Sequence, residues 1–337
     1  MAKPLHIAVF SAKPYDEKFL LAAATESMVM CCYKVDLNPM TATMAHGVEA
    51  VSAFVNDDLC RATLETLAAG GTRLIAMRCA GYNNVDLNAA AELGIRVVNV
   101  PAYSPYAVAE HTISLMLALS RNLPRAFNRV RDGNFSLDGL LGFDFYQKTV
   151  GIIGGGKIGR LVGERMLAFG CKVLVFDPYN VEVCEQMGFE VVDFDRLIAD
   201  SDIITLHCPL TPETRYLINH DAIAKMKRGV MLINTSRGAL MNTRALLSGL
   251  KSEYIGYLGI DVYEQEGSLF FEDHSNEIIK DDIFVRLTTF PNVIVTGHQA
   301  YFTHEALRHI ADTTVNSIDA FIQGDELIHE VRRNLAG

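Results

Sequence analysis

The sequence predicts an α/β protein made of two units, each a parallel sheet covered by helices. Three observations lead there. The chain has 337 residues, about twice the ~150 residues of an average domain, so two separate cores are expected. Short β-rich apolar runs alternate with helical patterns along most of its length, which implies parallel strands joined by helical crossovers. One strand-to-helix junction is a glycine-rich turn, Gly154-Gly155-Gly156-Lys157-Ile158-Gly159, of the kind that faces phosphate.

Within the first hundred residues the strand-like runs are His6–Phe10, Ala50–Val55, Leu74–Met77 and Arg96–Val100. Pro101 and Pro105 follow, and two prolines so close exclude helix and favour extended chain, so the two units are expected to join there. From Ala107 to Leu119 the sequence is apolar on nearly every side, which predicts a buried helix. A second series of strands is expected at Thr149–Ile153, Lys172–Phe176, Asp202–Leu206, Val230–Asn234, Tyr257–Val262 and Val293–Thr296. Near the end, Leu307, Ile310, Val315, Ile318, Phe321 and Ile322 fall close to one stripe of a helix from Glu305 to Ile322. That stripe must pack on something, and its periodicity does not say which unit receives it.

Composition narrows the class. Hydrophobic residues are 50% and charged residues 21% of the chain, which excludes a largely disordered or fibrous protein. Thirty Lys+Arg against 40 Asp+Glu leave a net charge of −10, which repels phosphate backbones, so nucleic acid is not an expected partner. The longest apolar stretch, Ile113 to Leu119 with its flanks, is far short of the ~20 residues that span a bilayer. Charges at Lys3, Lys13, Asp16 and Glu17 interrupt the start, unlike a signal peptide, so a cytoplasmic location away from membranes is expected. The seven cysteines are odd in number and scattered, most of them in apolar, strand-like surroundings that suit buried thiols in a reducing compartment. Neither they nor the ten histidines show a zinc-ligand spacing, so no metal is expected.

The glycine-rich turn carries the most chemistry. Gly154, Gly156 and Gly159 form G-x-G-x-x-G between an apolar strand and a helix-compatible run to Phe169, and Gly170 ends that run. Each glycine serves a distinct physical end. Gly154 allows the tight turn, Gly156 lets backbone approach a pyrophosphate, and Gly159 lets helix pack closely on strand. The next strand terminates in Asp177, 21 residues beyond Gly156. Its carboxylate suits the hydroxyls of an adenosine ribose and repels a 2′-phosphate. No Arg or Lys occurs in the following Pro178-Tyr179-Asn180 to receive that phosphate, so NAD is the expected cofactor rather than NADP.

In an open doubly wound sheet, ligands lie outside the carboxyl ends of the strands. In the second unit those ends carry His207-Cys208-Pro209-Leu210-Thr211-Pro212, Thr235-Ser236-Arg237-Gly238, Tyr263-Glu264-Gln265-Glu266 and Gly297-His298. An arginine, a glutamate and a histidine thus fall at the mouths of the sheet that carries the dinucleotide signal. A protonated imidazole can deliver a proton, a carboxylate beside it stabilises the imidazolium, and a planar guanidinium can hold a carboxylate and a carbonyl oxygen together.

At these residues the sequence resembles the D-isomer-specific 2-hydroxyacid dehydrogenases. The matching segments are VGIIGGGKIG with Asp177, LHCPLTPET, INTSRGAL, GIDVYEQE and VTGHQA, in the family's order and spacing and spanning nearly the whole chain. RCAGYNNVDL, VPAYSPYAVAEH, RDGNFSLDGLLGFD and LFFEDHSNEIIKDDIF look like the family's fermentative, lactate-forming branch. The resemblance implies NAD-dependent, reversible reduction of pyruvate to D-lactate, with glyoxylate, hydroxypyruvate or a larger 2-keto acid as the alternative substrate. It implies Arg237, Glu266 and His298 as the catalytic trio, with Glu266 preferred to Glu264 because the family's acid is the second glutamate of its motif.

It also implies two doubly wound domains with an active-site cleft between them: a Rossmann NAD domain over 103–299 and a discontinuous, flavodoxin-like substrate domain over 1–102 and 300–337. Hinges would then lie near Pro101–Pro105 and Gln299–Thr303. The family's carboxylate-binding turn matches Cys79-Ala80-Gly81, with the N–H groups of Ala80 and Gly81 toward substrate, and its lactate-branch tyrosine matches Tyr103. Cofactor contacts map onto Lys157 and Ile158 at the phosphate turn, Cys208, Pro209 and Thr214 around the ribose, Thr235 and Ser236 near nicotinamide, and Asp261 at the carboxamide. Gln299 departs from the small or hydroxyl residue common after the histidine, which bears on substrate preference. A homodimer built through the nucleotide domain, or a homotetramer, is the implied assembly.

Overall fold

The computed structural model describes residues 4–331, so residues 1–3 and 332–337 of the first expected domain lie outside the described part. The chain divides into two units, Met1–Ser104 with Phe302–Gly337, and Pro105–Tyr301. In the first, β1 (Leu5–Val9), α1 (Pro14–Ala23), β2 (Met28–Cys32), β3 (Ala50–Ala53), α2 (Arg61–Ala69), β4 (Leu74–Met77), α3 (Leu87–Glu92) and β5 (Arg96–Val98) follow in chain order. The strands pair in parallel in the order β2-β1-β3-β4-β5, the flavodoxin-like doubly wound order. Residues of β3 and β4 are buried on both faces, so neither strand alternates: β4 is an unbroken apolar run and β3 departs from one only at the buried Ser52. Strand β2 is not among the strands expected from the sequence. MVMCC has little β-branched character, and it becomes an edge strand through its pairing with β1, from Leu5–Met28 to Val9–Cys32.

The second unit begins with α4 (Pro105–Ser120), which corrects the expectation of extended chain at Pro105. A proline at the first helical position gives up only an N–H that has no helical partner anyway. After α4 come α5 (Leu123–Arg131), β6 (Thr149–Ile153), α6 (Lys157–Ala168), β7 (Lys172–Phe176), α7 (Val181–Gln186), β8 (Glu190–Val191), α8 (Phe194–Asp200), β9 (Ile203–Leu206), α9 (His220–Lys225), β10 (Val230–Asn234), α10 (Thr243–Lys251), β11 (Ile255–Ile260), α11 (Asp282–Thr288) and β12 (Val293–Val295). The sheet order is β12-β11-β10-β9-β6-β7-β8, again all parallel. It is the Rossmann order extended by one strand, with the switch point between β6 and β9. The two-residue β8 is the second strand not expected from the sequence, being too short to carry a pattern.

The last helix, α12 (His304–Gln323), settles where the amphipathic stripe goes. Thr303 caps it by accepting the Ala306 N–H, and Gly324 ends it in the left-handed region. Ala311, Val315 and Ile318 pack with Ile7, Val9, Leu20 and Leu74, so the first unit receives it. Burying side chains the size of Val315 and Ile318 contributes about 1.5–3 kcal/mol each, which explains why the chain returns to this unit.

Of the seven free cysteines only Cys171 and Cys184 are buried, which corrects the expectation that most are interior. Cys31 and Cys32 lie on edge strand β2, while Cys60, Cys79 and Cys208 lie outside the strands, just before a helix or just after a strand. No helix among the described residues is long and apolar enough to cross a membrane.

Candidate active site

The turn from β6 to α6 is built for close approach. Gly154 has φ +103°, and a Cβ there would lie 2.6 Å from the Cys208 nitrogen; one on Gly159 would lie 2.0 Å from the Gly154 oxygen. Only glycine allows both the left-handed turn and the packing of α6 on it. At Gly156, by contrast, an added Cβ meets nothing within 4 Å. Gly156 is the N-cap of α6 and offers the first amides of the helix no side-chain acceptor of its own, beside open space, as an anion requires. Lys157 is exposed and Ile158 half-buried in that first turn. The residues therefore fit a dinucleotide pyrophosphate.

Asp177, just after β7, is buried. Its Oδ1 accepts the N–H groups of Tyr179 (2.7 Å) and Asn180 (2.9 Å), and its Oδ2 accepts the Gly155 N–H (2.6 Å) and the Asn180 side-chain amide (3.1 Å). Burial raises its carboxyl, but these four donors outweigh burial and hold it below the usual carboxylate range. It is thus an ionised acceptor that also ties the glycine turn to the end of β7. Arg160, on the first turn of α6, donates to the Gly155 carbonyl (2.9 Å) and to Asn180 Oδ1 (3.3 Å). A cation therefore stands one amide away from Asp177. It precedes β7 in the chain, so the residues that follow the strand give no sign of it.

The mouths of β9 to β12 hold the other residues. After β9, the Cys208 thiol is pushed up to about 11 by burial, so it stays neutral. The Pro209 carbonyl accepts the Thr214 hydroxyl (2.7 Å). After β10, Thr235 is buried against Thr112 of α4, hydroxyl to hydroxyl at 2.8 Å, and the Ser236 hydroxyl donates to the Cys208 carbonyl (2.8 Å). Arg237 is half-buried and donates to the Ser236 carbonyl (2.8 Å). The Asn234 side chain braces this loop by donating to the Arg237 carbonyl (2.9 Å). Gly238 lets the β10 loop touch the β11 loop, since a Cβ there would lie 2.1 Å from the Tyr263 carbonyl carbon.

After β11, the two glutamates divide their roles. Glu264 accepts from the Tyr216 hydroxyl and from Thr243 Oγ1 (2.9 Å), which anchors the loop. Glu266 accepts the Tyr263 N–H at Oε2 (2.9 Å), and its Oε1 lies 2.9 Å from His298 Nδ1. His298, after β12, has a left-handed backbone (φ +52°), and its ring lies near those of Phe271 and Tyr301. With Nδ1 held by the carboxylate, Nε2 is the nitrogen left for substrate.

Asp261, at the end of β11, is fully buried, and its oxygens accept the Thr296 hydroxyl (2.5 Å) and the N–H groups of Gln299 (2.9 Å) and Ala300 (2.8 Å). His111 of α4 reaches the same cluster, an arrangement not expected from the sequence. His111 is half-buried beside the exposed Glu110, and in the sequence it is marked only as the last residue of VPAYSPYAVAEH. In the first unit, the Ala80 carbonyl accepts the Asn99 side-chain amide (2.8 Å) and the Gly81 carbonyl the Cys79 thiol (3.1 Å), which fixes the Cys79-Ala80-Gly81 turn at the carboxyl end of β4. Tyr103 is half-buried in the segment before α4.

A carboxylate-held imidazole at the mouth of a dinucleotide sheet can move a proton while the dinucleotide moves a hydride, the division of labour in a nicotinamide-dependent oxidoreductase. Known proteins agree. A family model described as the NAD-binding domain of D-isomer specific 2-hydroxyacid dehydrogenases matches residues 113–300. The chain is 50% identical to the D-lactate dehydrogenase of Escherichia coli K12 over 329 residues, 97% of this chain and 100% of that protein. The solved apo structure of D-lactate dehydrogenase from Escherichia coli matches with a TM-score of 0.89 at 47% identity, covering 97% of this chain and 100% of that one. D-lactate dehydrogenase from Aquifex aeolicus, complexed with NAD and lactic acid, matches at 0.86 and 35% identity, covering 96% and 98%. The chain belongs to the D-isomer-specific 2-hydroxyacid dehydrogenases, a family of NAD-dependent oxidoreductases.

Proposed function

We propose that this protein is a D-lactate dehydrogenase that reduces pyruvate to D-lactate, reversibly, with NADH and one proton. The observation that carries this reading is the 2.9 Å contact between His298 Nδ1 and Glu266 Oε1 at the mouth of the dinucleotide sheet. Bound nicotinamide supplies the hydride to the substrate C2. His298 donates the proton to the carbonyl oxygen from Nε2, and Glu266 orients the ring and stabilises its charged form. Arg237 holds the substrate carboxylate and carbonyl oxygen with its planar fork of donors and stabilises the charge that develops on that oxygen. The amides of Ala80 and Gly81 hold the carboxylate, and Tyr103 contributes a hydroxyl to the substrate.

On the cofactor side, Gly154, Gly156, Lys157, Ile158 and Gly159 take the pyrophosphate and Asp177 the adenosine ribose. Cys208, Pro209, Thr214, Thr235, Ser236 and Asp261 line the remainder. The unit formed by residues before Pro105 and after Tyr301 serves the substrate, and Pro105–Tyr301 serves NAD. α5 and the segment after it expose Phe127 (62%), Phe135 (74%), Leu137 (82%) and Leu141 (91%). Four large apolar side chains exposed along one segment support a homodimer formed through the NAD-binding unit. Seven free cysteines with no disulfide support a cytoplasmic location.

The test is NADH oxidation with pyruvate, followed by assignment of the lactate stereochemistry, beside a panel of glyoxylate, hydroxypyruvate and larger 2-keto acids. Preferential turnover of pyruvate to D-lactate is expected. A higher kcat/KM for another member of the panel, or an L product, overturns the assignment.

A further inference from the structure

We propose that His111, on a helix remote in sequence from the trio, is a positioning residue that holds the His298 loop in its working conformation by donating a hydrogen bond to Thr296. The inference rests on the reading of His298 as proton donor.

The protonation pattern follows from the partners. Asp261 is buried, and burial raises its carboxyl, but donors from His111, Thr296, Gln299 and Ala300 outweigh burial and hold it below the usual range, so the group is ionised and can only accept. Thr296 must therefore direct its single hydroxyl proton to Asp261 Oδ1, at 2.5 Å. His111 Nε2 lies 3.0 Å from that hydroxyl oxygen. Two acceptors cannot share this contact, so Nε2 carries a proton and donates. The same nitrogen stands 3.4 Å from Asp261 Oδ1, so its proton also faces the carboxylate.

Asp261 in turn holds the catalytic loop at three successive residues. Its carbonyl accepts the His298 N–H (2.8 Å), and its carboxylate accepts those of Gln299 (2.9 Å) and Ala300 (2.8 Å). His298 needs such support. A left-handed backbone (φ +52°) is disfavoured for a non-glycine residue, and its ring must keep Nδ1 within 2.9 Å of Glu266. The support comes from α4, whose neighbouring residue Thr112 meets Thr235 at 2.8 Å at the mouth of β10. One buried helix thus reaches both the loop before Arg237 and the loop of His298.

The test compares His111→Leu, which removes the donor, with His111→Gln, whose side-chain amide can place an N–H near Nε2, and with Thr296→Val, which removes the middle of the chain. For His111→Leu, kcat for pyruvate should fall by roughly 10- to 100-fold while KM and NADH affinity, the latter by fluorescence, stay close to wild type, because geometry at the reacting centre is lost rather than binding. His111→Gln should recover most of that loss. Thr296→Val should reproduce it, and adding His111→Leu to Thr296→Val should cost little more, as for two members of one chain. Should His111→Leu fail to fold, the Thr296→Val and His111→Gln pair still decides the matter. Equal kcat in wild type, His111→Leu and Thr296→Val, or equal loss in the Leu and Gln variants, overturns the proposal. His298→Gln separates this from failure of the underlying reading: retention of reduction by that variant removes His298 as the donor, whatever His111 does.

Discussion

Gly238 is the point at which a single methyl group should separate the two loops that carry Arg237 and Glu266, the residues proposed for substrate binding and proton transfer. In Gly238→Ala the new Cβ would lie 2.1 Å from the carbonyl carbon and 2.2 Å from the oxygen of Tyr263. Ordinary contact begins near 3.4 Å, so the loops must part by about 1.3 Å, and both sides are backbone with no side chain to swing away. The shift separates Arg237, one residue before the glycine, from Glu266, three residues after the tyrosine. Displacement of about 1 Å at a reacting centre can cost ~100-fold, which corresponds to ~2.7 kcal/mol of transition-state stabilisation. We therefore expect kcat/KM for pyruvate at saturating NADH to fall about 100-fold, and the folded protein to lose about 1–3 kcal/mol from overpacking. NADH affinity, measured by fluorescence, should change far less, because the dinucleotide turn lies at the mouth of β6. A folded Gly238→Ala enzyme within about threefold of wild-type kcat/KM would refute the claim that this contact registers the two loops.

Four further outcomes follow from the same geometry. Arg237→Lys keeps the charge but loses the two-pronged donor set, so kcat/KM for pyruvate should drop by orders of magnitude with NADH binding nearly unchanged; a near-normal kcat/KM would return Arg237 to a structural role. Glu266→Gln keeps an acceptor for the Tyr263 N–H but removes the charge on His298. Without that charge the imidazolium that delivers the proton loses its stabilising partner, so kcat for pyruvate should fall by roughly 100-fold with NADH affinity nearly unchanged, and a near-normal kcat would defeat charge coupling. Asp177→Ala should weaken NADH binding and relax discrimination against NADPH by about 1–3 kcal/mol, with Arg160 freed from its Asn180 contact to meet the 2′-phosphate; an unchanged NADPH-to-NADH ratio would count against this. Acid should affect the two units oppositely. Asp177, Asp202 and Asp261 in the NAD-binding unit have carboxyls held below their usual range, so the stability they contribute is lost as pH falls through those lowered values. Asp16 and Asp57 in the other unit are raised by burial and stabilise it more as they protonate. Hydrogen exchange, corrected for intrinsic rates, should show the Pro105–Tyr301 unit losing protection first on acidification, and the reverse order would contradict the assignment.

Some of the molecule was legible in the sequence because its physics is local. A parallel strand buried on both faces must be a short apolar run, and β6, β7, β9, β10 and β4 are such runs. The glycine turn was legible because a backbone conformation and a close approach together leave glycine alone as the choice. Asp177 and the strand-end segments that hold Arg237, Glu266 and His298 were legible as candidates because ligands in this kind of sheet lie at the carboxyl ends of strands, while the choice of these three, and of Glu266 over Glu264, came from the family resemblance.

What the sequence could not settle depended on partners distant along the chain. MVMCC became a strand by pairing with β1, and the last helix, whose own periodicity names no unit and which only the resemblance assigned to the first, packs on Ile7, Val9 and Leu74. Pro105 proved a helix start because proline is compatible with both extended chain and a first helical turn, and the residues that follow decide between them. The division between Glu264 and Glu266 rests on Tyr216 and Thr243 reaching one carboxylate while His298 reaches the other. Arg160 lies just past the glycine segment VGIIGGGKIG and His111 ends VPAYSPYAVAEH without a role attached to it; each matters through an atom brought near from another element, Asn180 in one case and Thr296 in the other. Periodicity and motif spacing record how each segment meets its own backbone and solvent, whereas side-chain hydrogen bonds between segments exist only once the chain has folded.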